Sequence, residues 1–116
     1  MTSEEARRFA EEWVDAWNRH DLDGILEHYA EDIVFTSPFA AKLVPGDGTV
    51  RGRSALRDYF KAGLSAYPDL RFTLRHVAVG VDSVTLVYDS VKGLLAAETM
   101  TLDGRLNVTR VQCHYA

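Results

Sequence analysis

Apolar residues recur at three- and four-residue intervals in the first half of the chain and at alternate positions in the second half. Ala6, Phe9, Ala10, Trp13, Ala16 and Trp17 share one side of a helix predicted over residues 3–19, with charged residues opposite. Thr2 or Ser3 can cap it, and Glu4 and Glu5 lie where negative charge favours a helix N-terminus. Asn18-Arg19-His20 ends this helix. Asp21 is a good N-cap for a second one over 22–29, which turns Leu22, Ile25, Leu26 and Tyr29 inward. Ile33–Thr36 is β-branched and aromatic, hence strand. Pro38 stops that strand or lies at an edge. Residues 38–52, with Pro45, Gly46, Gly48 and Gly52, predict a loop holding one short strand near Lys42–Val44. Ser54 caps a third helix over 55–66, which Pro68 closes.

Four strands follow, over 70–79, 83–91, 94–102 and 105–115. Lys92-Gly93 and Asp103-Gly104 have the character of two-residue hairpin turns, and Val81-Asp82 is a third turn. Such turns fix the pairing, because residues flank them symmetrically. Glu98 then faces Thr109, Val87 faces Glu98, and His76 faces Val87. Directly paired residues point to one side of a sheet. One face therefore collects Phe72, Leu74, His76, Ala78, Thr85, Val87, Asp89, Ala96, Glu98, Met100, Thr109, Val111, Cys113 and Tyr115. It is the richer in aliphatic and small side chains, so the helices should cover it. The other face collects Arg71, Arg75, Val77, Leu86, Tyr88, Thr99, Arg110, Gln112 and His114.

Bulk properties narrow the possibilities. A chain of 116 residues is expected to form one domain over 1–116. It buries roughly two-thirds of its unfolded surface, enough for a core and a small cavity. The net charge of −4, without a basic stripe, argues against nucleic acid and anionic membranes as partners. Cys113 is the only cysteine, which excludes an intrachain disulfide and a cysteine-rich metal site. His20, His28 and His114 lack metal-ligand spacing, so neither a metal nor another cofactor is implied. The charged, amphipathic N-terminus resembles neither a secretory signal nor an anchor, which makes the cytoplasm the expected location.

The predicted inner face places His76, Asp89 and Glu98 in apolar company. A carboxyl so placed is costly when ionised, and its pKa should rise. These three are the candidate catalytic residues. For Glu98 the alternative is a structural carboxyl bonded to Tyr29, Tyr59 or a backbone amide. For His76 it is a bond to backbone or partial exposure, and for Asp89 a solvated strand end. Trp13, Trp17, Tyr29, Ser37, Tyr59, Phe60, Val87, Met100 and Val111 are the candidate ligand walls, and the aromatic ones serve equally as core. No nucleophile elbow surrounds Ser37, so nucleophilic catalysis is not expected there.

Three stretches carry a family resemblance: Trp13…Trp17-Asn18-Arg19-His20-Asp21-Leu22-Asp23-Gly24, Tyr29-Ala30-Glu31-Asp32 and Ser37-Pro38. Gly52-Arg53-Ser54-Ala55-Leu56-Arg57-Asp58-Tyr59-Phe60 and the Asp-Gly hairpin add to it. Over essentially its full length the chain resembles the superfamily of nuclear transport factor 2, the SnoaL-like polyketide cyclases and ketosteroid isomerase. The resemblance implies an α+β fold, a cone-shaped, strongly curved mixed sheet wrapped around three helices from the N-terminal half. Ketosteroid isomerase combines an aspartate base with an oxyanion hole of tyrosine and protonated aspartic acid. On this chain the protonated acid falls on Glu98, the base on Ser37 and the tyrosine on Trp13. Only the first keeps its chemical type, so the steroid activity does not carry over. What the resemblance does imply is proton-transfer chemistry, such as isomerisation, cyclisation or dehydration, on a small, mostly apolar carbonyl compound. The alternatives are a non-catalytic ligand-binding module and a dimerisation module. A homodimer through the outer sheet face, over Val77, Leu86, Tyr88, Arg75 and Arg110, is compatible with each.

Overall fold

The computed structural model describes residues 1–43 and 46–116. Helix α1 (Ser3–Asn18) begins at a capping box, in which Thr2 Oγ1 accepts from the Glu5 amide and Glu5 Oε1 accepts from the Thr2 amide. The apolar stripe read from the sequence is its buried face. Asp21 caps α2 (Leu22–Leu26) by accepting from the Gly24 amide. A Cβ at position 24 would lie 2.5 Å from Asp21 Oδ2, so any other residue there would displace the capping carboxylate. Tyr29 opens strand β1 (Tyr29–Thr36) rather than closing the helix.

The segment after β1 differs from the expectation. Instead of a loop with a strand near Lys42–Val44, residues Pro38–Leu43 form a short fourth helix, α3; Val44 lies outside the described residues. Ser37 Oγ accepts from the Phe39 amide, and Pro38 occupies the first helical position, where its missing N–H costs nothing. Strand β2 (Thr49–Arg51) then pairs with β1. Helix α4 (Arg53–Ala66) starts after Gly52, whose φ of 87° turns the chain, and Ser54 lies inside the helix rather than capping it.

The remaining strands are β3 (Thr73–Val79), β4 (Ser83–Asp89), β5 (Leu95–Leu102) and β6 (Val108–Tyr115). The six-stranded sheet runs β2-β1-β6-β5-β4-β3, with β1 and β6 parallel and the other neighbours antiparallel. It is curved and unclosed, and its concave side holds one hydrophobic cluster shared with α1, α2 and α4. The helix–sheet architecture expected from the sequence is the one observed.

Register is where the expectations need correction. The Val81-Asp82 turn stands, and His76 pairs with Val87. The β4–β5 connection, however, is a three-residue loop, Val91–Gly93, closed by the Ser90 amide donating to the Leu94 carbonyl. Lys92 and Gly93 both take positive φ in it. One extra residue exchanges the faces of β4 relative to β5. Glu98 therefore pairs with Leu86, not Val87. The β5–β6 loop is longer still: Asp103 Oδ1 accepts from the Arg105 and Asn107 amides, so this aspartate organises a five-residue loop. Glu98 pairs with Cys113, not Thr109; a shift of four leaves its face unchanged. A bulge between Leu74 and His76 rotates the start of β3. Because of the extra loop residue, Leu86 and Tyr88 are buried and Val77 packs on the core, which removes them from the outer patch. His76, Ala78, Thr85, Val87 and Asp89 move to the outer face.

Candidate active site

Beneath the helices, the concave face of the sheet leaves a cavity of about 90 Å³. Buried Trp13 and Trp17 of α1, Phe35 of β1, Phe60 of α4 and Phe72 before β3 form its body. These rings pack against one another: Trp13 stacks on Phe72 at 5.7 Å, and Phe60 meets Trp17 edge-on at 4.8 Å and Phe35 at 5.4 Å. Phe39 and Leu43 of α3, Tyr67 after α4, Val91 of the β4–β5 loop and Tyr115 of β6 form the more exposed rim. A surface depression of about 410 Å³ shares Tyr67, Leu70, Ser90 and Val91 with the cavity and continues it outward.

The cavity wall at Leu70 and Phe72 is fixed by the end of α1 rather than by the sheet. Asn18 Nδ2 donates to the Phe72 carbonyl at 3.0 Å, and Asn18 Oδ1 accepts from the Phe72 amide at 2.7 Å. One side-chain amide thus saturates both backbone groups of Phe72. The His20 ring nitrogen Nε2 lies 2.9 Å from the Leu70 carbonyl.

Glu98 lies in the cavity lining and is only 3 % exposed. Tyr88 donates to its Oε1 at 2.6 Å, and the Cys113 thiol donates to the same oxygen at 3.4 Å. Among the described residues, Oε2 has no hydrogen-bond partner. Burial pushes the Glu98 carboxyl up to about 7, with the Tyr88 and Cys113 hydrogen bonds pulling the other way. Burial also holds the phenols of Tyr88 and Tyr115 well above their ordinary value and lifts Tyr59 to about 12, the Ser37 hydroxyl opposing the last of these shifts. The phenols therefore remain neutral donors. Glu98 is the group of the cavity lining that burial brings close to neutrality.

Of the residues singled out from the sequence, the fold brings Glu98, Trp13, Trp17, Tyr59 and Phe60 together around the cavity. Four others stand behind the walls. Tyr29 is buried and accepts from Trp13 Nε1 at 3.0 Å. Ser37 is buried at the start of α3. Met100 and Val111 pair with each other in the closed core, next to the Glu98–Cys113 pair. His76, Asp89 and Val87 lie on the opposite face of the sheet, a consequence of the three-residue β4–β5 loop. His76 is exposed there, and Asp89 is paired with Arg75. Neither can reach Glu98. Sequence reasoning missed Tyr88, the nearest partner of Glu98. Its signal was the strict alternation of Val84, Leu86 and Tyr88 against Ser83, Thr85 and Asp89, which outranks a presumed turn length. It also missed Phe39, whose signal was Ser37-Pro38 read as cap and first helical residue.

Among the described residues no cluster of three or more side chains could hold a metal ion, and no helix is long and apolar enough to cross a membrane.

Comparison with known proteins agrees with this geometry. The family model described as a SnoaL-like domain matches residues 10–113. A crystal structure of a SnoaL-like protein of unknown function from Burkholderia thailandensis is 38% identical, with 100% of this chain and 98% of that one covered at a TM-score of 0.96. The epoxide hydrolase/cyclase-like enzyme SalBIII, reported in pyran ring formation in the polyether salinomycin, shares the fold at 20% identity, with coverage of 97% and 92% and a TM-score of 0.78. An NTF2-like protein of unknown function from Cytophaga hutchinsonii shares it at 15% identity, with coverage of 96% and 89% and a TM-score of 0.75. No curated protein matches the chain.

Proposed function

Because this chain belongs to the SnoaL-like domain family, whose fold encloses the cavity described above, we propose that it catalyses proton transfer on a small, mostly apolar carbonyl compound, with Glu98 as the proton carrier. The observation that carries this reading is a buried carboxyl in the lining of an aromatic cavity, with both donors on one oxygen and the other oxygen free. A carboxyl with a pKa of about 7 is divided between acid and base at neutral pH. As base, Glu98 takes a proton from the carbon next to the carbonyl. The C–H electron pair forms a carbon–carbon double bond, and the carbonyl π pair moves onto the oxygen to give an enolate. Glu98, now protonated, returns the proton to the same carbon or to one conjugated with it. Return to the conjugated carbon gives an isomerisation and return to the same carbon gives hydrogen exchange; neither needs an oxidant or reductant. Tyr59 would orient the ligand from α4.

The test is deuterium uptake at the α-carbon of small ketones in deuterium oxide, followed by NMR. Wild type should accelerate uptake, and Glu98→Gln should lower the rate by about 100-fold or more. No acceleration by wild type with any ketone that it binds would overturn the catalytic reading. That outcome would favour a second reading, a non-catalytic ligand-binding module, which has its own support: among the described residues, the cavity lining holds no second carboxyl and no histidine or lysine beside Glu98.

The partner proposal concerns the outer face of the sheet. Val87, Ala97 and Thr99 are half-buried there beside exposed Gln112. This outer surface would pair with its equivalent on a second copy of the chain.

A further inference from the structure

The aromatic cavity does not end at its rim. The depression of about 410 Å³ that continues it outward shares Tyr67, Leu70, Ser90 and Val91 with the cavity and adds Arg71 and Lys92. The chemistry of the wall changes along that path. Among the described residues the cavity lining holds no lysine, arginine or histidine, and Glu98 is its one ionisable carboxyl. The depression sets two cations against one carboxylate, that of Asp69. Elsewhere the arginines at 7, 19, 51, 53, 57 and 75 form ion pairs with carboxylates. Among the described residues Arg71 and Lys92 form none, although the chain carries a net charge of −4.

Two features hold Lys92 at this place. Its φ of 59° lies in the left-handed region, where a side chain crowds the backbone and glycine does not. Its ammonium lies 5.9 Å from the centre of the Tyr67 ring, within the range of cation–π attraction. Tyr67 lines both the cavity and the depression, so this contact puts a positive charge at the boundary between them. Arg71 reaches the same depression from a backbone pinned on both sides. His20 holds the Leu70 carbonyl, and Asn18 holds both backbone groups of Phe72. These placements orient a ligand. An anionic group inside the cavity would find no countercharge and would be repelled by ionised Glu98. At the mouth it would meet two cations while staying partly solvated. Two cations and one carboxylate leave one net positive charge there, which matches a monoanion.

We propose that the depression binds the carboxylate of the substrate between Arg71 and Lys92, so that the compound is a small oxo acid whose apolar, carbonyl-bearing end enters the cavity toward Glu98. This inference rests on reading the cavity as the site of proton transfer, and it names the class of compound that the site takes.

The probes are 3-benzoylpropanoate and 3-benzoylpropanamide, which carry the aryl ketone of acetophenone on the same chain and differ in the charge at its end. Calorimetry at about 0.02 M salt should find the carboxylate bound about fivefold more tightly, the size of effect that exposed ion pairs supply. Raising the salt to about 0.5 M should bring the two affinities within about twofold of each other. The double substitution Arg71→Gln/Lys92→Gln should do the same at low salt; both side chains are exposed, so the fold does not depend on them. Heteronuclear NMR gives a readout on wild type alone: the carboxylate should shift the backbone amide signals of Arg71 and Lys92 more than the propanamide does. The proposal is overturned by equal affinity for the two probes, by binding of neither, by a preference that survives high salt or the double substitution, or by shifts that spare both residues. Deuterium uptake separates this inference from the reading it rests on. A carboxylate preference without uptake would leave the anion site standing and sink the catalytic reading. Uptake into small ketones without the preference would do the reverse.

Discussion

Replacing Glu98 by glutamine isolates the cost of burying one carboxyl. The side chain keeps its shape, and Tyr88 can still donate to the amide oxygen. Folding moves the Glu98 carboxyl from its ordinary value of 4.5 to about 7. At about 1.4 kcal/mol per pKa unit, this corresponds to about 3 kcal/mol that ionisation takes from stability. The sign follows from linkage. Between these two values the folded state binds more protons than the unfolded state, so stability falls as pH rises. Below 4.5 neither state is ionised and the penalty vanishes; above 7 it is complete. Most of the loss falls between pH 5 and pH 8. The assay is urea unfolding of wild type and Glu98→Gln at both pH values. The wild-type-minus-variant difference removes the titration of every other group. That difference should become about 2–3 kcal/mol less favourable to wild type at pH 8. A change below about 1 kcal/mol would refute the reasoning, since it would mean that Glu98 ionises at little cost and is not the acid–base group of a dry cavity.

Three further predictions follow from neighbouring features. Gly63 lines the cavity from within α4, and a Cβ placed there meets nothing within 4 Å; Gly63→Ala should stabilise the protein by about 0.5–1 kcal/mol in thermal or urea unfolding, whereas Gly63→Leu should abolish acetophenone binding by calorimetry without unfolding the chain. Asn18→Ala removes both hydrogen bonds to Phe72 and should cost about 1–3 kcal/mol in urea unfolding. If two copies pair through the outer sheet face, Thr99→Arg should convert a concentration-dependent dimer to monomer in analytical ultracentrifugation while leaving the circular dichroism spectrum unchanged; a dimer that persists would place the contact elsewhere.

The helical half of the molecule was legible in the sequence because its signals are local and redundant. The stripe from Ala6 to Trp17 states both the element and its buried face, and Asp21 with Gly24 states the corner. The inward direction of Glu98 was legible too, partly because the error at Asp103-Gly104 was an even number of residues. What failed was propagation. Each hairpin passes its register to the next strand, so one unrecognised residue at Val91–Gly93 reversed β4 and exchanged Tyr88 for Val87. An aspartate before glycine was read as a two-residue turn, whereas Asp103 spends its side chain capping two amides of a longer loop. The bulge near Arg75 has no local signature at all. The meeting of Arg71 and Lys92 at one depression is invisible in a sequence, because it depends on where the fold lays the β4–β5 loop.

The three-residue β4–β5 loop carries an implication for how such a domain can diversify. A strand has only two faces, so loop length acts as a parity bit for everything downstream of it. Gaining or losing one residue between Ser90 and Leu94 would turn Tyr88 away from Glu98 and offer Val87 or Asp89 instead, ending the site at a stroke. Changes of two residues would slide the strands but keep Tyr88 on the side of Glu98. Insertions and deletions at this hairpin should therefore survive in related chains mainly in even numbers, while the rim of the cavity at α3 is free to change length one residue at a time.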